Sequence, residues 1–177
     1  MAFIFPGFGS AISGMILDET ISLGAENIIV FGSCGSLLPA QKTPEILLAS
    51  SAICDEGTSL HYTSAKHSHI KASNDLLIKI HKVLQQKDIH FQDGVFWTTD
   101  APYRATSDRI CKMKKKGCIG VDMEISALYS IASFYHIKIA GFFISKDILT
   151  EKQWILNPSL TQKKPSELLY IALDSLS

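Results

Sequence analysis

Arginine is scarce in this sequence, and no long block of basic residues makes up for it. The 177 residues include two arginines, Arg104 and Arg109, and 17 basic side chains balance 17 acidic ones. The one concentrated basic run, Lys112 with Lys114 to Lys116, is typical of the solvated end of a helix. A large electrostatic footprint for nucleic acid is therefore absent, and we expect no nucleic-acid partner.

Metal-ligand and disulfide spacings are also missing. The four cysteines are Cys34, Cys54, Cys111 and Cys118. None of their spacings is Cys-x-x-Cys, so we expect reduced thiols in the cytoplasm. His61, His67 and His69 have no cysteine or acid at a compatible spacing, and we interpret them as loop histidines. The sequence predicts neither a metal nor another cofactor.

No stretch has the length and continuity of a membrane span. Residues Ala2 to Leu17 carry no charge, but Pro6 and three glycines interrupt them and no basic residue precedes them. A span needs about 20 consecutive apolar residues, and a signal peptide begins with a positively charged region. We expect no membrane partner and a cytoplasmic protein.

Length and composition suit one domain over residues 1–177, because 46% hydrophobic residues supply a sizeable core. At the start we predict a strand at Phe3–Phe5, a helix at Ile12–Leu23 that ends at Gly24, and a strand at Asn27–Phe31. This order is a βαβ unit and indicates a parallel sheet.

The later elements follow from periodicity and composition. We expect Gly32–Gly35 to be a turn that exposes backbone N–H groups, and Asp147 to end the last clear strand. Further strands are predicted at Glu45–Cys54, Val95–Trp97 and Ile139–Ser145, and helices at Asn74–Gln86 and Ser166–Leu176. Trp154–Pro158 is expected to serve packing and closure.

The most informative stretch is Gly120–Ala127, where a short apolar run turns into a helical pattern with Glu124 at the junction. Ligands of open α/β sheets bind outside the carboxyl ends of strands. A carboxylate there can accept hydrogen bonds from two neighbouring hydroxyls, such as the 2′ and 3′ hydroxyls of a ribose. The alternative is that Glu124 only favours the positive end of the helix dipole.

A dinucleotide-binding fold is the lower-ranked reading of the turn Gly7-Phe8-Gly9. Glycines between a strand and a helix allow a phosphate to approach the backbone. However, Ile12 stands where the third glycine is required, and the strand that ends in Phe31-Gly32 lacks the acid that would bind a ribose.

Five stretches, in order, resemble the nucleoside phosphorylase and nucleosidase superfamily. They are Phe31–Leu37, Asp55–Tyr62, Trp97–Arg104, Val121–Leu128 and Ile144–Asp147. The resemblance runs from about Phe3 to the C-terminal helix, and the family's first strands and phosphate loop have no counterpart. It implies an α/β fold with a mixed, largely parallel central sheet flanked by helices, and a homo-oligomer.

The same resemblance implies roles for individual residues. Met123 and Glu124 would hold the ribose of a nucleoside, and Cys34 and Gly35 would lie near its base. Trp97 would stack on the base, but it is equally consistent with a core position.

Asp147 would protonate the departing base as a general acid. Lys146 replaces the serine that precedes this acid in the family, and an adjacent ammonium lowers the pKa of a carboxyl. The strand pleat can instead turn the two side chains to opposite faces.

Phosphate binding is the part of the resemblance that is incomplete. Ser33 and Arg104 remain as candidate phosphate ligands, whereas Val30 stands in place of the family's arginine. The sequence therefore predicts cleavage of an N-glycosidic bond, either by pentosyl transfer to phosphate or by hydrolysis. The alternative is a non-catalytic, truncated homologue that binds nucleoside or protein partners.

The Glu56–Tyr62 loop is expected at a subunit contact near the site.

Overall fold

The computed structural model describes residues 1–63, 69–156 and 165–176, in which one sheet is flanked by helices. The strands are β1 Asn27–Ser36, β2 Ile46–Asp55, β3 His69–Lys71, β4 Phe91–Thr99, β5 Cys118–Asp122, β6 Lys138–Leu149 and β7 Trp154–Leu156. The helices are α1 Ser10–Ser22, α2 Asn74–Gln86, α3 Ser107–Lys115, α4 Ile125–Phe134 and α5 Pro165–Leu176.

The strand order is β3-β2-β4-β5-β1-β6-β7. Because β2 also pairs with β6, the five strands β2, β4, β5, β1 and β6 form a closed ring of hydrogen-bonded neighbours. The long pairings of β1 with β6 and β2 with β4 are parallel, as is β4 with β5. The pairings of β1 with β5 and β2 with β6 are antiparallel. The predicted mixed, largely parallel sheet is confirmed.

Successive side chains of a strand point to opposite faces of the sheet, so neighbouring residues belong to two separate hydrophobic clusters. Leu47 and Phe143 face a cluster that includes the buried helix α4 and Leu17 of α1. Leu48 and Phe142 face a second cluster, which packs against α2 and α5. Helices therefore cover both faces of the sheet.

The N-terminal prediction is only partly right. Helix α1 forms as predicted, and Gly24 follows its end with φ +94°. The strand predicted at Phe3–Phe5 does not form, because this segment joins no strand ladder; the ring of Phe3 stacks on Phe31 instead, with centroids 5.8 Å apart. The βαβ unit expected at the N-terminus is therefore absent from the described residues.

Two other local predictions need correction. Gly32–Gly35 is not a turn, because β1 continues through it and pairs with β6. Asp147 does not end β6, which runs on to Leu149 and pairs with β7. The strand predictions at Glu45–Cys54 and Val95–Trp97 and the helix at Asn74–Gln86 are confirmed. Pro158 lies outside the described residues.

The surface features agree only partly with their sequence interpretation. The lysine run ends α3, as expected. His61 is exposed in the 3₁₀ turn Thr58–His61, whereas the exposed His69 begins β3, which corrects its assignment to a loop. His67 lies outside the described residues. In the described part of the chain, no helix combines the length and apolar character that a bilayer span requires.

Candidate active site

The junction between β5 and α4 is organised by the side chain of Asp122. Its Oδ2 accepts hydrogen bonds from the backbone N–H groups of Glu124 at 2.9 Å and Ile125 at 2.6 Å. Thr98 donates to its Oδ1 at 2.7 Å. The first amides of a helix lack intrahelical acceptors, so Asp122 both caps α4 and fixes the backbone at Glu124.

The start of α1 lies directly against the Met123-Glu124 pair. The backbone N–H of Gly9 donates to Oε1 of Glu124 at 2.6 Å, and Oγ of Ser10 donates to the carbonyl oxygen of Met123 at 2.7 Å. Gly9 has φ +88°, a backbone conformation that glycine adopts without steric cost. Two helix N-termini therefore converge on Glu124.

Burial dominates the electrostatics of this junction. Desolvation, together with the smaller effect of the adjacent Glu124 charge, raises the pKa of Asp122 to about 7, although three hydrogen-bond donors oppose the rise. Burial also raises the pKa of Glu124, against the opposing hydrogen bonds from Gly9 and Met123. The junction therefore holds two neighbouring carboxyls whose pKa values are both raised by burial.

The end of β1 brings Asp147 to the same place. Gly35 pairs with Val121 of β5 on one side and with Asp147 of β6 on the other. Cys34 precedes it, and burial raises the pKa of its thiol well above the ordinary value, with Asp122 and Asp147 adding to the rise. The predicted ribose pair and the predicted acid thus flank one short stretch of β1, and Cys34 is a neutral thiol between them.

Strand β6 contains a β-bulge at Lys146, directly before Asp147. Cys34 pairs with Ser145 and Gly35 with Asp147, so Lys146 is the extra residue of β6. Lys146 is exposed and Asp147 is half-buried. No ion pair joins the two side chains, both of which lie in the described ranges.

Asp147 keeps one oxygen without a protein partner. Its Oδ1 is buried and accepts no hydrogen bond within the described structure. A buried carboxylate oxygen without a donor is costly, and such atoms call for a physical reason. A ligand that donates a hydrogen bond to Oδ1, or accepts one from its protonated form, would satisfy it.

Gly35 has little free space on its own side of the strand. A Cβ there would stand 2.4 Å from Cδ1 of Leu149 and 3.0 Å from Cγ1 of Val121. The missing side chain thus makes room for packing between β1, β5 and β6. Any contact of Gly35 with a base would come from its backbone.

Trp97 lies in the core, the alternative that the sequence left open beside base stacking. Its side chain has 0% exposed surface, and its Nε1 donates to Oδ2 of Asp55 at 2.8 Å. The guanidinium of Arg109 lies 5.2 Å from the ring centroid and also contacts Asp55. The indole has no free face on which a base could stack, because strand packing and Arg109 cover it.

The two candidate phosphate ligands lie on different elements. Ser33 is an exposed residue of β1 opposite Ile144. Arg104 is exposed in the 3₁₀ turn Pro102–Arg104, which precedes α3. Among the described residues, no hydrogen bond joins Ser33 and Arg104.

Sequence reasoning missed three contributors to the site. Asp122 was visible as an acid two residues before Glu124 at a strand end, the position from which it caps α4. Gly9 was visible as a glycine ahead of a helix, but nothing local showed that it donates to Glu124. Glu56 was assigned only to a loop at a subunit contact, yet it is buried within the chain, with 6% of its surface exposed.

Comparison with known proteins identifies relatives of this chain. The chain is 28% identical over 172 residues to a DeoD-type purine nucleoside phosphorylase of Bacillus cereus, an alignment that covers 96% of this chain and 72% of the relative. The fold resembles the crystal structure of AMP nucleosidase from Bacteroides thetaiotaomicron, with a TM-score of 0.77, 23% identity, and coverage of 97% of this chain and 68% of that chain.

A uridine phosphorylase from Vibrio fischeri has a similar fold, with a TM-score of 0.72, 22% identity, and coverage of 97% of this chain and 65% of that chain. These two structural likenesses concern the fold. The dinucleotide-binding alternative is set aside by the family match. The model of the phosphorylase superfamily matches residues 5–168, most of the sequence, and the chain therefore belongs to that superfamily.

Proposed function

We propose that this protein binds a ribonucleoside at the β5–α4 junction and cleaves its N-glycosidic bond. Membership in the phosphorylase superfamily supports glycosidic-bond cleavage of nucleosides in general. The relative at 28% identity is a purine nucleoside phosphorylase, which makes purine nucleosides the first substrates to test.

The observation that carries the proposal is the pairing of Gly35. Its two strand partners, Val121 and Asp147, belong to the strands that deliver the ribose pair and the acid. Cleavage of an N-glycosidic bond passes through a cationic, ribose-like transition state. A site for it must hold the sugar and neutralise the departing base, and these two tasks fall to the two sides of β1.

We assign the tasks as follows. Glu124 uses Oε2 for the ribose hydroxyls, since Oε1 already accepts from Gly9, and Met123 packs against the sugar. Asp147 protonates the base through its unpartnered Oδ1. Cys34 and the backbone of Gly35 border the base. No resident cofactor is required for this chemistry.

We further propose that phosphate does not accelerate the reaction, and that water is the nucleophile. Phosphate carries multiple charges, and its desolvation calls for fixed cations or several N–H donors. Of the two arginines, Arg109 is already paired with Asp55. Arg104 and Ser33 are both exposed, which leaves them hydrated rather than arranged around an anion.

The experiment is base release from a panel of purine and pyrimidine nucleosides, with and without millimolar phosphate, with the sugar product identified. We expect slow release that is indifferent to phosphate and yields free ribose. Phosphate-dependent ribose 1-phosphate would contradict the hydrolytic assignment. Binding without release from any nucleoside would favour the alternative, a non-catalytic binding protein. The homo-oligomer expected from the resemblance stays a prediction.

A further inference from the structure

Glu56 is a buried carboxylate that follows β2 and lies beneath the first turn of α4. Its Oε1 accepts a hydrogen bond from Oγ of Ser126 at 2.9 Å. Its Oε2 accepts one from the backbone N–H of Ser59 at 3.0 Å, and Oγ of Ser59 also donates to Oε1. Burial of a carboxylate is unfavourable unless hydrogen bonds compensate it, and here both oxygens are engaged.

Ser126 connects Glu56 to the ribose pair. It lies two residues after Glu124 in the first turn of α4, and its side chain has 0% exposed surface. Its backbone N–H donates to Oγ1 of Thr98 at 3.0 Å, and the same hydroxyl donates to Asp122. The turn that carries Glu124 is thus fixed at two points, by Glu56 through the side chain of Ser126 and by Thr98 through its backbone.

We propose that Glu56 is a positioning residue for the ribose contact: through Ser126 it fixes the turn that orients the carboxylate of Glu124. This inference rests on the proposed function. Glu56 touches no substrate in this scheme. Its effect is indirect, because an error of about 1 Å in the placement of a binding group weakens the interaction markedly.

The chain offers a matched pair of variants, Ser126→Ala and Ser175→Ala. Both residues are buried helical serines, Ser126 in α4 and Ser175 in α5. Ser126 donates to Glu56, whereas Ser175 donates to the carbonyl oxygen of Ile171 within its own helix. Each substitution removes one buried hydroxyl, so any general loss of stability is similar in the two proteins.

The first readout is the ratio of affinities for inosine and 2′,3′-dideoxyinosine, measured by calorimetry. Ser126→Ala should reduce the preference for inosine about fivefold, the factor expected from one net hydrogen bond. Ser175→Ala should leave this ratio unchanged within about twofold. Glu56→Gln should recover part of the preference that Glu56→Ala loses, because an amide retains one acceptor for these donors.

The second readout needs no ligand. The amide of Gly9, which donates to Glu124, should exchange with deuterium faster in Ser126→Ala than in Ser175→Ala. Suppose that the wild type prefers inosine but that the two variants have equal affinity ratios and equal Gly9 exchange rates. That result would overturn the positioning role alone. A wild-type protein with no preference for inosine would overturn the ribose assignment and the positioning role together.

Discussion

The backbone amide of Gly9 donates a 2.6 Å hydrogen bond to Oε1 of Glu124, across 115 residues of sequence. It joins the start of α1 to the start of α4. Farther along α1, Asp18 accepts a hydrogen bond from the hydroxyl of Tyr62 at 2.6 Å, in the loop that also carries Glu56. The Met123-Glu124 pair is therefore held on one side by α1, and the turn that follows it is held on the other by the hydrogen bonds of Glu56.

Trp97 is expected to contribute stability and no base contact. Trp97→Ala should lower the free energy of unfolding by roughly 3–5 kcal/mol, as for other buried aromatic truncations. Denaturant unfolding measures this loss.

Fluorescence provides the control, because the only other tryptophan, Trp154, is 48% exposed. In Trp154→Phe, the remaining emission should come from a buried indole and resist acrylamide. Direct quenching of that emission by an added nucleoside would instead indicate that Trp97 stacks on the base.

Asp122 should make stability depend on pH near neutrality. Its pKa in the folded protein is about 7, against an ordinary value of 3.8, so the folded state holds a proton that the unfolded chain releases. This contribution to stability is fully present below about pH 4 and is lost as the pH rises through 7.

The measurement is the unfolding free energy of the wild type and of Asp122→Asn from pH 4 to pH 8. As the pH rises from 4 to 8, the wild type should lose a few kcal/mol of unfolding free energy relative to Asp122→Asn, because each unit of pKa shift corresponds to about 1.4 kcal/mol. The amide retains an acceptor for the α4 amides and does not ionise. A difference that stays constant over this range would show that Asp122 remains ionised throughout.

Asp147→Asn should reduce turnover of nucleosides with poor leaving groups by about 10²–10⁴-fold, the usual size of a general-acid contribution. Nucleosides with activated leaving groups need no protonation and should be affected much less. Steady-state rates for the two substrate classes provide the test.

Asp88→Asn is the control for this variant, since Asp88 is exposed and its φ of 52° suits asparagine as well. Equal loss of rate on both substrate classes in Asp147→Asn would assign Asp147 a structural role.

Local periodicity was sufficient where a helix or strand has one clear apolar pattern. The helix Asn74–Gln86 was predicted from apolar residues that the structure buries against the sheet. Gly32–Gly35 was misjudged because its glycines suggest a turn, whereas partners on β5 and β6 hold it as a strand with a bulge. Phe3–Phe5 has strand composition, but composition does not supply a ladder partner.

In the candidate site, likewise, the local sequence identified the central residue but not its distant partners. A single stretch of sequence marked Glu124 as the centre, because strand end, helix start and carboxylate coincide there. The donors to its neighbourhood come from distant segments: Gly9 from α1, Thr98 from β4 and Glu56 from the loop after β2. Burial of Trp97 likewise depends on how α3 packs, which its own strand does not reveal.

Glu124→Gln tests the account most directly. The amide can still accept from Gly9 through its oxygen, but it presents a donor group to the ribose hydroxyls, which require an acceptor there. Glu19→Gln, at an exposed carboxylate of α1, is the matched control. The measurement is the calorimetric affinity of each protein for inosine and for 2′,3′-dideoxyinosine. We expect Glu124→Gln to lose at least about tenfold in affinity for inosine, with little change for the dideoxy analogue and none in Glu19→Gln. Equal loss for both ligands, or no binding of inosine by the wild type, would contradict the assignment of Glu124 to the ribose.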